Sequence, residues 1–125
     1  MEARSVVVAD DVPEILELIS KILEPVGFKV SCATTGLEAA KLVKEHPCDL
    51  VITDMLMPEV DGIELINQVK QLKRGTRILA ISGGGHTLDS NYCVNLARAL
   101  GAHATLRKPF NRQQFLEAVD CAFAN

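Results

Sequence analysis

Four short apolar runs in this chain each end on a residue able to handle a phosphate or a metal. Ser5–Ala9 runs into Asp10 and Asp11, Leu50–Thr53 into Asp54, Arg77–Ile81 into Ser82, and Ala104–Arg107 into Lys108. As parallel strands of one sheet they would bring all four endings to its carboxyl edge, where open α/β sheets bind their ligands. Three carboxylates, a hydroxyl and an ammonium would then share one site. Two carboxylates about 5 Å apart repel by roughly 3 kcal/mol at an effective dielectric near 20, so three together invite a cation. Mg²⁺ suits them, being hard, oxygen-seeking and commonly held by a few carboxylates plus waters, whereas Ca²⁺ asks for more protein oxygens than this pattern offers. Lys108 offers a point charge to a phosphate. Ser82, followed by Gly83-Gly84-Gly85, offers a hydroxyl with an open approach. Singly, each residue has a plainer reading, since Asp is a favoured turn and cap residue and a strand-end lysine is commonly solvated. Their convergence carries the argument. The glycine run matches neither a dinucleotide fingerprint nor Gly-x-x-x-x-Gly-Lys-Ser/Thr.

The elements that must position these residues alternate strand and helix five times. After the first strand, Pro13–Glu24 places Ile15, Leu18, Ile19 and Ile22 on one helical face, with Pro13 in the first turn and Pro25 and Gly27 ending it. Phe28–Cys32 alternates as a second strand. Thr35-x-x-Glu38 opens a second helix as a capping box, closed by His46-Pro47. Asp61-x-x-Glu64 starts a third helix, burying Leu65, Ile66, Val69 and Leu72 and ending in Lys73-Arg74-Gly75, as its dipole prefers. Tyr92, Cys93, Leu96, Ala97 and Leu100 fit the inner face of a fourth helix that stops at Gly101. Asn111 caps a fifth, with Phe115, Leu116, Val119 and Phe123 inward; Phe110, Phe115 and Phe123 read as its core packing. This alternation predicts an α/β fold with a five-stranded parallel sheet in a three-layer sandwich, the near-continuous Val/Ile/Leu strands being covered on both faces.

Composition bounds the function. A chain of 125 residues, 48% hydrophobic and 23% charged, is expected to form a single domain over 1–125 with no output domain. A net charge of −3 lacks the basic footprint of a nucleic-acid binder. No apolar run approaches the roughly 18 residues of a membrane span, and the N-terminus is not a secretory signal. Cys32, Cys48, Cys93 and Cys121 lack the paired spacing of zinc ligands and read as buried or half-buried free thiols of a reducing cytoplasm. His46, His86 and His103, isolated and without ligand spacing, read as surface or loop residues.

Asp10-Asp11, Asp54-Met-Leu-Met-Pro58, Asp61-Gly62, Ser82-Gly83 and Lys108-Pro109-Phe110 resemble the receiver domain of two-component response regulators, over essentially the whole chain and at the family's spacing. The broad likeness is to stand-alone receivers of the chemotaxis type. The resemblance implies a doubly wound, flavodoxin-like (βα)5 fold. It implies that Asp54 accepts a phosphoryl group from a phosphohistidine of a sensor histidine kinase or histidine phosphotransfer protein. Asp11, Asp54 and the backbone carbonyl of Leu56 would hold Mg²⁺, with Asp10 acting partly through water. Ser82 and Lys108 would bind the phosphoryl oxygens, and Lys108-Pro109 would be cis. Such a module is cytoplasmic and is no enzyme beyond assisting its own phosphorylation and dephosphorylation. It works by presenting an altered face of the fourth helix, fifth strand and fifth helix to a downstream protein, without touching nucleic acid or membrane directly. Receivers often pair through that face, so a homodimer is open.

Three positions depart from the usual pattern. Thr105 stands three residues before Lys108, where many receivers place a Tyr or Phe that swings with the switch, and Tyr92 lies elsewhere. Ser82 replaces the commoner threonine but keeps the hydroxyl. Leu56 and Gly84 stand where polar side chains often assist an attacking water, which implies slow self-dephosphorylation. Two other functions fit part of the pattern. A metal-dependent phosphatase with an aspartyl nucleophile would want a second acid two residues after Asp54, where Leu56 stands. A degenerate receiver could serve as a phosphorylation-independent binding scaffold, for which Thr105 is the argument.

Overall fold

The computed structural model describes residues 4–55, 61–83 and 90–124, apart from the side chains of 90–93. The elements run β1 (Arg4–Ala9), α1 (Pro13–Leu23), a 3-10 turn (Glu24–Val26), β2 (Phe28–Ala33), α2 (Gly36–Glu45), β3 (Leu50–Asp54), α3 (Gly62–Leu72), β4 (Arg77–Ser82), α4 (Ser90–Ala99), β5 (Ala104–Arg107) and α5 (Arg112–Ala124). All strand pairs are parallel, in the order β2-β1-β3-β4-β5. The order reverses at β1, so the crevice between the ends of β1 and β3 is the switch point of the sheet, where such folds place ligands.

Side chains alternate across the sheet and divide the core into two layers. Val6, Val8, Leu50, Ile52, Leu79 and Ile81 pack with Leu16, Ile19, Ile22 and Leu23 of α1 and with Phe115, Val119 and Ala122 of α5. Val7, Ala9, Val51, Ile78 and Ala80 pack on the other face with Ala39, Ala40 and Val43 of α2, Leu65, Ile66 and Val69 of α3, and Ala97 of α4. The three-layer expectation is met. At the start of α2 the Thr35 side chain accepts from Glu38 N at 3.1 Å, while Glu38 reaches back to Thr34 N rather than to Thr35 N. Asp61 accepts from Glu64 N at 3.0 Å. Asn111 and Gln114 cap each other reciprocally at 2.7 and 2.9 Å, so the fifth helix starts where expected.

Two readings of burial need correction. In α1 the buried set is Leu16, Ile19, Ile22 and Leu23, whereas Leu18 is 42% exposed and Ile15 half-buried. Apolar residues cover so broad an arc of this helix that periodicity allows either stripe, and packing against α5 and the sheet selects the one carrying Leu16 and Leu23. Cys32 and Cys121 are exposed, and only Cys48 is half-buried among the described free cysteines. Burial, with Asp49 nearby, pushes the Cys48 thiol up to about 11. The Phe series does pack: Phe110 stacks on Phe115 at 5.5 Å, and Phe123 lies 6.2 Å from Phe28. Leu72, Leu100, Leu116 and Phe123 are half-buried against the core. Tyr92, Cys93 and His86 lie outside what the structure describes.

Candidate functional site

Register explains how residues far apart in sequence meet. Ala9 pairs with Thr53, so Asp10 and Asp54 follow side by side at the carboxyl ends of β1 and β3. Asp54 pairs with Ile81, and Ser82 lies one residue beyond. Ser82 in turn pairs with Arg107, and Lys108 follows, its N–H donating to Ser82 O at 2.9 Å. Because β3 is central and its five residues are all buried, Asp54 sits at the floor of the crevice rather than on an open surface.

The carboxylates of Asp10, Asp11 and Asp54 each place an oxygen within 4.8 Å of the others. Lys108 Nζ donates to Asp10 Oδ2 at 2.9 Å and to Asp54 Oδ2 at 3.0 Å, bridging the two buried acids. The solvated-lysine reading of Lys108 is thereby excluded, its side chain being only 19% exposed. Burial by itself would lower the Lys108 pKa, but its hydrogen bonds to Asp10 and Asp54, and their charges, outweigh burial and raise it. Asp10, 1% exposed, also accepts from Val12 N at 2.9 Å. Its pKa is nevertheless raised, because desolvation exceeds the help from Lys108 and Val12 N, and Asp54 adds repulsion. One ammonium does not neutralise three carboxylates, so this donor set fits a hard divalent cation such as Mg²⁺.

The raised pKa makes a stability prediction. A folded-state pKa above the unfolded value means that the native state binds the extra proton, so Asp10 destabilises the fold once pH rises above its folded pKa. Asn at position 10 keeps the acceptor for Val12 N and removes the buried charge, while Lys108 retains Asp54. Without Mg²⁺ at neutral pH, Asp10→Asn is expected to raise the melting temperature by a few degrees, at roughly 4 °C per kcal/mol. In millimolar Mg²⁺ the order should reverse, since the wild type gains a bound ion that the variant holds less well. Thermal melts with and without Mg²⁺ check both halves.

Ser82 is 2% exposed, and its Oγ has no hydrogen-bond partner among the described residues. The Lys108–Pro109 peptide is cis. Thr105 is half-buried within β5. Leu56 and Gly84 lie outside the described residues. Two supporting contacts were not legible beforehand. Thr53, fully buried, donates its Oγ1 to the carbonyl of Asp54 at 2.8 Å. Gly62, the first residue of α3, lies against the Asp54 carbonyl and Met55 Cα, where a Cβ would collide with backbone. A glycine where a helix begins, disfavoured by propensity, was the available signal of such a close approach. Beside Lys108 an apolar groove of about 450 Å³ is lined by Ile15, Leu18, Pro109 and Phe110.

A doubly wound parallel sheet whose switch-point crevice gathers three carboxylates, a bridging lysine and a buried serine defines a flavodoxin-like α/β module. The family follows from comparison: the chain matches the response regulator receiver domain over residues 6–120, and it belongs to that family. It is 34% identical over 119 residues to the chemotaxis protein CheY of Bacillus subtilis, covering 94% of this chain and 96% of that protein. It is 36% identical over 117 residues to the response regulator GtcR of Aneurinibacillus migulanus, covering 94% of this chain but 45% of that protein. The chain thus spans about half the length of that longer regulator. A receiver domain structure from Clostridium thermocellum superposes with a TM-score of 0.85 at 29% identity, covering 97% of this chain and 94% of the other. The receiver fold expected from the sequence is therefore present. Among the described residues no helix is long and apolar enough to cross a membrane.

Proposed function

We propose that residues 1–125 act as a phospho-accepting switch, with Asp54 taking a phosphoryl group from the phosphohistidine of a sensor histidine kinase or a histidine phosphotransfer protein. The observation that carries this reading is Lys108 Nζ lying 3.0 Å from an Asp54 carboxylate that shares its crevice with Asp10 and Asp11. An Asp54 carboxylate oxygen forms the new bond to phosphorus. The P–N bond breaks, and its electron pair returns to the imidazole nitrogen. Asp10, Asp11 and Asp54, joined by the Leu56 carbonyl, would hold Mg²⁺, which when bound offsets charge on the transferred group. Lys108 follows the charge as it moves from the carboxylate to the phosphoryl oxygens, and Ser82 donates its hydroxyl to one of them. The groove along Ile15, Leu18 and Phe110 gives a phosphodonor protein an apolar surface beside the nucleophile.

On this reading the domain works in the cytoplasm and acts by binding a downstream protein, not by turning over a substrate. The test is intact-mass spectrometry after incubation with acetyl phosphate. A stoichiometric, Mg²⁺-dependent phosphoryl adduct supports the switch, turnover of a small phosphate ester supports a phosphatase, and no adduct supports a passive scaffold. Because neither Leu56 nor Gly84 can orient an attacking water with its side chain, the adduct is expected to persist in Mg²⁺ for minutes or longer once acetyl phosphate is removed. Decay within seconds would contradict the role given to those two positions.

A further inference from the structure

Within β3, whose five residues are all buried, Thr53 is a polar residue set in an apolar layer. It is 0% exposed. Its ladder partners are Ala9 on β1 and Ala80 on β4, both members of the layer shared with α2, α3 and α4. Val51 and Met55, two residues to either side on the same face of the strand, belong to that layer as well. Valine would match the shape of threonine there and suit a buried strand equally. A hydroxyl in such surroundings costs free energy unless it is hydrogen-bonded. Thr53 Oγ1 meets that requirement by donating to the carbonyl of the next residue, Asp54, at 2.8 Å.

That bond completes the anchoring of a single peptide plane. The Asp54–Met55 peptide gives its N–H, on Met55, to Ile81 O of β4 at 3.0 Å, and its carbonyl receives the Thr53 hydroxyl. The same carbonyl lies against Gly62, and Met55 O accepts from Gly62 N at 3.2 Å. The preceding peptide, between Thr53 and Asp54, is set by the ladder with β1 and β4. With the planes on both sides of its Cα fixed, the direction of the Asp54 Cα–Cβ bond is fixed too. The carboxylate is thereby aimed at Lys108 Nζ, 3.0 Å away.

We propose that Thr53 is a positioning residue, whose hydroxyl holds the Asp54 carboxylate in line for attack on phosphorus. The inference rests on the phospho-acceptor reading of Asp54 and adds to it a residue that never touches the phosphoryl group. The Thr53 side chain leaves the strand on the face opposite to that of Asp54, so it acts through the backbone alone. A displacement of about 1 Å caused at a distance from the chemistry can cost on the order of a hundredfold in rate, so the loss of one anchor is large enough to measure.

Two substitutions separate the hydroxyl from the packing. Thr53→Val keeps the shape and removes the donor, whereas Thr53→Ser keeps the donor and removes a methyl group. At fixed acetyl phosphate and Mg²⁺, adduct formation followed by intact mass should be about tenfold slower or more with valine, and within about twofold of wild type with serine. A role in packing alone predicts the reverse order. Hydrogen exchange on the unphosphorylated proteins reads the anchor directly. The Met55 amide should exchange about tenfold faster or more with valine and at the wild-type rate with serine, the Val51 amide serving as the measure of global opening. Wild-type protein that takes up no phosphoryl group would remove the acceptor reading, and this inference with it. Uptake by the wild type, with the valine variant equally fast, the serine variant as slow as valine, or Met55 exchange unchanged, would overturn the inference alone.

Discussion

Replacing Asp54 by alanine is expected to abolish phosphoryl uptake from acetyl phosphate, with Mg²⁺ or without it, while the protein stays folded. The neighbouring acids are poor substitutes. Asp10 is almost wholly buried, with one oxygen engaged by Val12 N and the other by Lys108. Asp11 is exposed at the rim and is not among the residues that Lys108 contacts. Folding should survive because Lys108 keeps its contact with Asp10, so no buried ammonium is left alone, and one source of carboxylate repulsion disappears. Intact mass after incubation, with a thermal melt on the same sample, reads both outcomes. A full-yield, Mg²⁺-dependent adduct in the variant would move the nucleophile to Asp10 or Asp11 and overturn the assignment.

Gly62→Ala should be nearly as damaging, although it changes no ionisable group. A Cβ at this position would press on the carbonyl of Asp54 and come 2.7 Å from Met55 Cα and 3.1 Å from the Asp54 carbonyl carbon. All three are backbone atoms, so no rotamer relieves the clash and either α3 or the end of β3 must shift. Alanine gains up to about 1 kcal/mol in helix propensity, against about 1–3 kcal/mol for overpacking a well-filled site. Gly62 N also donates to Met55 O at 3.2 Å, tying the two segments together. The clash is expected to win, giving a net loss of about 1–2 kcal/mol in urea titration. Adduct formation should slow at least tenfold, because the atoms displaced belong to the proposed nucleophile. An unchanged unfolding midpoint together with an unchanged rate would mean that the contact is not transmitted to Asp54.

Much of this was legible before any coordinates, for reasons that differ by element. The caps at Thr35, Asp61 and Asn111 are local chemistry within three residues, and each side chain found its backbone N–H. Strand identity was legible because continuous Val/Ile/Leu runs leave few other placements. From strand order and parallel register the meeting of Asp10, Asp54 and Lys108 follows, although no local pattern links residues so far apart. What escaped was whatever depends on the third dimension without a local rule. The α1 stripe was misread because two apolar arcs overlap on one helix. His103 is a loop residue as read, but its hydrogen bond, accepting the Ile78 N–H at the start of β4, escaped because the partner lies 25 residues away.

Ser82 has a consequence for how this protein can evolve. A buried hydroxyl such as Ser82 Oγ, with no partner among the described residues, costs about 1–3 kcal/mol relative to a satisfied one, a large share of the margin by which a small domain stays native. Alanine at that position would remove the penalty and, on the proposed reading, the donor for a phosphoryl oxygen. Selection for durability and selection for responsiveness therefore favour opposite residues at one site. A lineage of this chain that had abandoned its signal would be expected to drift there first, toward a more robust and unresponsive descendant.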